Sequence, residues 1–174
     1  MKLAFVIIDM QKQFLDGATS LTPALASTAE YINYVSGLFR ERGLPVLFVL
    51  DEEECKLGDP KFEPVDCIEQ KPTDERIHKT HGNSFRDTRL MERLKALGVG
   101  FVLFAGYRAE GCVLSTLKGA ENLDLPHAVL RNGILSTSQD GAAFVEKNSP
   151  LLSHHLVAPF LSYNRPQTSE ASHG

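Results

Sequence analysis

The sequence predicts an α/β protein: a three-layer, doubly wound sheet of about six parallel strands with helices on both faces. Short apolar runs alternate along the chain with segments in which apolar residues recur at helical spacing. Strands that alternate with helices pair in parallel and are joined by right-handed crossovers. The length of 174 residues is typical of one domain that folds without disulfides or a structural metal. We therefore predict one domain over residues 1–163 and a disordered tail over 164–174, where no apolar anchor stands.

The strands are predicted from short runs that are almost wholly apolar, the pattern of strands buried on both faces. Such runs lie at 3–8, 46–50, 99–105 and 128–130, and shorter candidates lie at 76–79 and 156–158. Strands this short and this apolar favour a sheet that is covered by helices on both sides.

The helices are predicted from helical spacing and from the residues that start and stop them. The first begins with the N-cap Thr22 and Pro23 and ends at Gly43. The others lie at 90–97, 112–122 and 142–147. Residues 51–74 are acidic, contain prolines and show no period, so we predict a long loop there that is functional or mobile.

Composition and charge argue against several classes of protein. The 18 basic and 22 acidic side chains give a formal net charge of −4 without a basic run, so we expect no nucleic-acid and no membrane partner. The apolar run before Asp9 is shorter than the core of a secretory signal. Three cysteines, an odd and sparse set, indicate reduced thiols. We therefore expect a cytoplasmic protein.

The carboxyl ends of the predicted strands are the first place to look for a site. Ligands of doubly wound sheets bind there, at the switch point in strand order. The residues just after the strands are Asp9, Asp51, Lys79 and the turn from Gly106 to Cys112. They bring carboxylates, an ammonium and a thiol to one edge of the sheet.

Cys112 ends a turn with two glycines and opens the predicted helix. Free N–H groups and the dipole at a helix start favour negative charge, so we expect a lowered thiol pKa and stabilisation of an oxyanion. The alternative is a small buried structural residue, and the turn alone does not decide between the two. A P-loop is disfavoured because no Lys-Ser/Thr pair follows Gly111, and a phosphatase loop because no nearby arginine follows the cysteine.

Asp9 and Lys79 stand where they can serve such a thiol. A carboxylate can take the thiol proton and return it to a leaving group, and an ammonium favours the thiolate. Taken singly, Asp9 is a common type of turn residue and Lys79 a common type of surface residue. Because all three groups follow strands of one predicted sheet, their combination indicates a catalytic site.

Three motifs stand in order along roughly the first 130 residues. They are Phe5-Val-Ile-Ile-Asp9-Met-Gln with a nearby Phe14, His78-Lys79 followed by Asn83-Ser-Phe85, and Gly106-x5-Cys112-Val-x2-Thr116-x3-Ala120. In order and spacing they resemble the motifs of the isochorismatase-like cysteine hydrolases, whose members include nicotinamidases and N-carbamoylsarcosine amidases.

The resemblance implies a six-stranded parallel sheet and a catalytic triad of Asp9, Lys79 and Cys112. It also implies a cis peptide between Tyr107 and Arg108. The oxyanion hole would consist of the backbone N–H groups of Arg108 and Cys112. Members of the family cleave C–N bonds of amides, ureido or carbamoyl groups through a thioester.

Three aromatic residues near the motifs are candidate substrate-binding residues: Phe14, Phe85 and Tyr107. Phe14 and Phe85 could form apolar walls of a pocket. Ordinary core packing is the alternative for both, and the sequence leaves it open.

The metal site of the resembling nicotinamidases has no full counterpart here. They carry Asp-x-His after the second strand and a further histidine downstream. This chain has Asp51-Glu-Glu53 at that point, and no histidine lies between Asp51 and His78. Two carboxylates can bind a hard cation weakly, but we interpret this segment as a solvated acidic loop. We therefore expect no metal and no cofactor.

The combined prediction is a cysteine hydrolase that cleaves a C–N bond of a small amide, ureido or carbamoyl substrate through a thioester. The alternatives are a catalytically silent binding module of the same fold and a vinyl-ether hydrolase of isochorismatase type. Isochorismatases proper do not use the cysteine, which argues against the latter. A redox protein would need a resolving cysteine near Cys112, and the sequence has none. The expected partners are a small-molecule substrate and further copies of this chain in a homo-oligomer.

Overall fold

The computed structural model describes the backbone of residues 1–18 and 22–163, and within them six strands form one parallel sheet. The strands are β1 (Lys2–Ile8), β2 (Val46–Asp51), β3 (Glu75–Lys79), β4 (Val99–Tyr107), β5 (His127–Leu135) and β6 (Leu151–Leu152). Their order is β3-β2-β1-β4-β5-β6, and every neighbouring pair is parallel. The order reverses between β1 and β4, which is the switch point of a doubly wound sheet. The predicted tail at 164–174 lies outside the described residues.

Helices cover both faces of the sheet. In the described part of the chain they are α1 (Lys12–Leu15), α2 (Thr22–Arg40), α3 (Leu90–Ala96), α4 (Leu114–Asn122), α5 (Gly141–Lys147) and α6 (His154–Tyr163). Alternate residues of β1 enter two separate cores, because successive side chains of a strand point to opposite faces. One core includes α2 and α6, and the other includes α3, α4 and α5. The predicted three-layer α/β fold is confirmed.

The strand predicted at 156–158 is wrong. These residues belong to α6, where Val157 and Leu161 are buried in the same core as α2. They stand four residues apart and so share one face of the helix. A short apolar run does not distinguish a buried strand from a helix face, which explains the error. The sixth strand is the two-residue β6, which pairs with β5 at Val129 and Leu130.

The helix predicted to begin at Cys112 begins two residues later. Residues Ala109–Val113 form a π-helical turn, and Gly111 within it has non-helical dihedrals (φ −106°, ψ −108°). The backbone N–H groups of Gly111 and Val113 both donate to the carbonyl of Arg108, at 2.9 and 3.2 Å. Cys112 therefore lies in a wide turn before α4 rather than in the first turn of a regular helix.

Part of the predicted long loop packs onto the core. Phe62, Val65 and Ile68 are buried in the same cluster as α2. The backbone N–H of Val65 donates to the carbonyl of Met10 at 2.9 Å, which ties the loop to the segment after β1. The loop thus lies beside the residues that follow the first strand. No helix among residues 1–18 and 22–163 has both the length and the apolar character needed to cross a membrane.

Gly106 allows β4 to approach β1 closely at the switch point. Its φ is +127°, a conformation that L side chains rarely adopt. A Cβ atom at this position would lie 2.0 Å from the carbonyl oxygen of Ile8, which is its neighbour in the sheet register. Because Gly106 has no side chain, β4 can lie this close to β1. Asp9 follows β1 and Cys112 follows β4, so the close approach also brings these two residues near each other.

Gly106→Ala is expected to lower the free energy of unfolding by at least about 2–3 kcal/mol, because the methyl group meets backbone and the dihedral is strained. Gly37→Ala is the matched control, since Gly37 lies in α2 and its added Cβ would meet nothing within 4 Å. That change should raise the stability by roughly 0.5–1 kcal/mol. Urea unfolding of both variants tests the pair, and equal stabilities would contradict the close-approach argument.

Candidate active site

Four ionisable side chains meet at the switch point. Lys79 ends β3, Asp51 ends β2, Asp9 follows β1, and Cys112 lies in the turn after β4. These elements are neighbours in the order β3-β2-β1-β4, so the strand ends place the four groups along one edge. The backbone N–H of Asp9 donates to the carbonyl of Val49 at 2.9 Å, which fixes the start of that turn against β2.

Lys79 lies at the centre of the group. Its Nζ is 2.8 Å from Oδ2 of Asp9, forms a close ion pair with Oδ2 of Asp51, and is 3.4 Å from Sγ of Cys112. The lysine side chain is completely buried, and both carboxylates are nearly so. A buried ammonium needs opposite charges in contact, and here two carboxylates supply them. The pKa of Lys79 is raised, because attraction to Asp9 and the other partners outweighs burial.

Asp9 is suited to exchange a proton near neutral pH. Burial raises its pKa to about 6, although the Lys79 ammonium acts in the opposite direction. Its Oδ2 lies 2.8 Å from Lys79 Nζ, and hydrogen bonding from Lys79 and from the Cys112 thiol also acts to lower its pKa. A buried carboxyl group with such a pKa beside a thiol is typical of a general acid–base.

The thiol of Cys112 has a raised pKa, which contradicts the lowered value expected from the sequence. Burial and the negative charge of Asp9 raise its pKa to about 12, and Lys79 lowers it only in part. The expectation rested on a helix N-terminus, but Cys112 lies in the π-helical turn before α4. The resting group is therefore a neutral thiol. It becomes a nucleophile only if a base takes its proton, and Asp9 lies within reach: the reactive atoms of Asp9, Asp51 and Cys112 are within 4.8 Å of one another.

Asp51 lies at the strand-end edge where the sequence placed it, but its interpretation as part of a solvated acidic loop is wrong. It is 3% exposed, belongs to β2 and pairs with Lys79. The signal was present in the sequence, because Asp51 follows an apolar strand just as Asp9 does. The neighbouring Glu53 and Glu54 are exposed, as an acidic loop would have them.

A cleft of about 430 Å³ opens over the thiol. The residues that line it are Asp9, Gln13, Phe14, Asp51, Glu53, Glu54, Tyr107, Arg108 and Cys112. The rings of Phe14 and Tyr107 lie 6.0 Å apart and form an apolar part of the wall. Phe85 does not reach this cleft: its ring packs edge-on against Phe104 in the core that includes α3 and α4. The roles of Phe14, Phe85 and Tyr107 in substrate binding stay predictions.

The turn before Cys112 has the backbone form that the resemblance implied. The peptide between Tyr107 and Arg108 is cis, which confirms that expectation. The carbonyl of Arg108 is held by two N–H groups of the same turn. The assignment of the N–H groups of Arg108 and Cys112 to an oxyanion hole stays a prediction.

The donor set around Cys112 does not fit a metal ion. Asp9, Asp51 and Cys112 form the one group within residues 1–18 and 22–163 that brings enough potential ligand atoms together. All three contact the ammonium of Lys79, so the positive charge that these donors require is already part of the protein. No histidine joins them in the group.

A parallel six-stranded sheet with a thiol, a lysine and two carboxylates in contact at its switch point defines an α/β protein suited to thiol chemistry. A family model for the isochorismatase domain matches residues 3–148, which is most of the chain. The protein therefore belongs to the isochorismatase-like cysteine hydrolase family, a family of hydrolases that includes amidases.

Individual relatives agree with this placement. The ureidoacrylate amidohydrolase RutB of Caulobacter segnis is 33% identical over 183 aligned residues, covering 83% of this chain and 75% of that protein. RutB of Caulobacter vibrioides is 34% identical over 90 residues, which cover 52% of this chain but only 39% of that protein. Among solved structures, the N-carbamoylsarcosine amidase of Thermoplasma acidophilum superposes with a TM-score of 0.77 at 25% identity, covering 88% of this chain and 97% of that one.

Asp9→Asn is expected to stabilise the protein above pH 6. The pKa of about 6 in the fold, against an ordinary 3.8, means that the folded state binds the Asp9 proton more tightly than the unfolded chain. Stability therefore falls as the pH rises between these values, because the buried group becomes charged. Asparagine keeps the shape of the neutral acid, so the gain should reach about 1–3 kcal/mol at pH 7.5.

The same measurement at lower pH is the control for Asp9→Asn. Below pH 4 the wild-type carboxyl is protonated in the fold, so the two proteins should unfold at the same urea concentration. A variant less stable than the wild type at pH 7.5 would contradict the assignment of a destabilising charge to Asp9.

Proposed function

We propose that this protein is a cysteine hydrolase that cleaves the C–N bond of a small amide, ureido or carbamoyl substrate. The observation that carries the proposal is the contact of one buried ammonium with both a carboxylate and a thiol: Lys79 Nζ lies 2.8 Å from Asp9 and 3.4 Å from Cys112. A nucleophile, a proton acceptor and a fixed positive charge at the base of a cleft are the parts that acyl transfer through a thioester requires.

The first half of the reaction forms the thioester. Sγ of Cys112 attacks the substrate carbonyl carbon, and the thiol proton passes to Asp9 as the C–S bond forms. Lys79 stabilises the negative charge on sulfur while the proton moves. The backbone N–H groups of Arg108 and Cys112 receive the oxyanion. Asp9 then gives its proton to the departing nitrogen, the C–N bond breaks, and the amine or ammonia leaves.

The second half hydrolyses the thioester. Asp9, ionised again, takes a proton from water while the water oxygen attacks the thioester carbon. The C–S bond breaks, the sulfur recovers its proton from Asp9, and the acid product leaves. Because one carboxyl group accepts and returns each proton, a pKa near the working pH serves both directions.

The substrate class is supported by the cleft and by the relatives. A volume of about 430 Å³ suits a small molecule, and Phe14 and Tyr107 offer an apolar wall to a planar group. RutB is described as an amidohydrolase of ureidoacrylate, and the superposed structure as an amidase of N-carbamoylsarcosine. Both substrates carry a ureido group, which we therefore propose to test first. The cytoplasmic location and the homo-oligomeric state stay predictions.

Ammonia release from a panel of small amides and ureido compounds tests the activity and its class together. Turnover of ureido compounds is the expected result. A protein that binds such compounds without releasing ammonia would support the catalytically silent module instead. Release of pyruvate from a vinyl ether, with Cys112→Ser fully active, would support the vinyl-ether hydrolase.

Cys112→Ser should abolish turnover nearly completely, because a hydroxyl ionises far less readily than a thiol. Asp9→Asn removes the proton acceptor and should lower kcat by roughly 10²–10⁴-fold. Since the two residues act as one unit, the double variant should be little worse than Cys112→Ser alone. Cys67→Ser, at an exposed thiol outside the cleft, is the matched control and should keep full activity. If the losses of kcat in the two single variants multiplied in the double variant, the two residues would act independently.

Treatment with EDTA followed by dialysis should leave turnover unchanged. The physical reason is that Lys79 already contacts the three side chains that could hold a cation. Ammonia release before and after chelation is the measurement. Loss of activity that zinc or manganese restores would show that a metal ion takes part.

A further inference from the structure

Lys79 has two carboxylate partners, and they differ in how the protein holds them. A triad of Asp9, Lys79 and Cys112 uses only one of them, so the second, Asp51, has no role in the mechanism as written above. Asp51 and Lys79 are direct partners in the parallel register of β2 and β3. The backbone N–H of Glu52 donates to the carbonyl of Lys79 at 2.9 Å, which locks the two strand ends side by side.

The polar atoms of Asp51 are each bound to a partner. One carboxylate oxygen pairs with Lys79, and the other accepts the backbone N–H of Glu53 at 2.7 Å. Its backbone N–H donates to the side chain of Gln11 at 2.7 Å. Its carbonyl accepts the amides of Gln11 and Gln13 at 3.1 and 2.8 Å. Asp51 is thus held by side chain and backbone together.

Asp9 is held differently: its Oδ2 contacts Lys79 at 2.8 Å, but neither of its carboxylate oxygens accepts a backbone N–H among the described residues. When Asp9 accepts the thiol proton it becomes neutral and no longer balances the charge of Lys79. The groups that contact the ammonium from the neighbouring elements are Asp9, Asp51 and Cys112. In the proposed reaction Asp9 and Cys112 exchange a proton, and Asp51 takes no part in that exchange.

We propose that Asp51 is a positioning residue: the permanent counter-ion that keeps Lys79 charged and aimed at Cys112 while Asp9 gains and loses its proton. The catalytic part of this proposal rests on the proposed function, whereas the ion pair of Asp51 with Lys79 does not. The two carboxylates on one ammonium then have separate tasks. Asp51 maintains the positive charge, and Asp9 moves the proton.

The stability arm of the test needs no substrate. Asp51→Asn keeps the size and one acceptor oxygen but removes the charge, so it should lower the midpoint of thermal unfolding at pH 7.5 by several degrees. Asp9→Asn should raise that midpoint. The same substitution at the two carboxylates that contact Lys79 should therefore shift the unfolding midpoint in opposite directions. Glu52→Gln is the matched control: it removes the same charge one residue away, where the carboxylate pairs with the partly exposed His78. That variant should unfold within about one degree of the wild type.

A second variant covers the case in which Asp51→Asn does not fold. Adding Lys79→Met removes the ammonium that has lost one of its two counter-ions, so the double variant should fold and recover most of the lost unfolding midpoint. Failure of this recovery would overturn the counter-ion role. An unfolding midpoint of Asp51→Asn equal to that of Glu52→Gln would overturn it as well.

The kinetic arm uses a ureido substrate that the wild type turns over. Asp51→Asn should lower kcat roughly 10- to 100-fold with KM changed less than about threefold, since the charge positions the thiol chemistry rather than the substrate. With Asp51 neutral, Lys79 pairs more strongly with Asp9, so the acid limb of the pH–rate profile should move to lower pH. A lowered rate with an unmoved acid limb would overturn the proposal. Absence of wild-type turnover would contradict the proposed function alone, and the stability arm would still decide on Asp51.

Discussion

The ion-pair cluster around Lys79 is the interaction on which the rest of the site depends. A lone ammonium at this depth would be strongly unfavourable, and its partners come from three other segments of the chain. Neighbouring strands lie about 4.8 Å apart, so a side chain at the end of β3 must be long to reach the turn after β4. Lysine has that reach. The charge at the centre of the site thus requires the strand order β3-β2-β1-β4.

Burial raises the pKa of both the Cys112 thiol and the Asp9 carboxyl, and this determines how a thiolate can form. Both Asp9 and Cys112 have raised pKa values, but at neutral pH the thiol, with a pKa of about 12, keeps its proton, whereas Asp9, with a pKa of about 6, is ionised. A thiolate is therefore formed only together with proton transfer. Such a site differs from those in which a helix dipole keeps a cysteine ionised at rest. In the proposed reaction, Cys112 would stay in the less reactive thiol form between turnovers.

Much of this arrangement could be predicted from sequence, for identifiable reasons. Apolar runs of strand length predicted the sheet, and the rule that ligands bind at strand ends pointed to Asp9, Asp51, Lys79 and Cys112. The burial of Asp51 was misjudged because it opens an acidic segment whose Glu53 and Glu54 are exposed, and the charge of that segment hides one buried carboxylate. The raised pKa of Cys112 could not be foreseen, because burial and the π-helical turn are tertiary features. Phe85 was placed by its motif, whereas packing against Phe104 decides where its ring lies.

The close contact of β1 with β4 at Gly106 has a consequence for how the protein acquires activity. The pairing of Ile8 with Gly106 joins segments almost a hundred residues apart along the chain, and such contacts carry a large loop-closure entropy. The thiol, its base and the ammonium come together only when this pairing and that of β2 with β3 are both complete. Partly folded chains therefore lack an assembled reaction centre. During biosynthesis, the proposed hydrolytic activity would therefore emerge as a late, all-or-none event rather than grow with chain length.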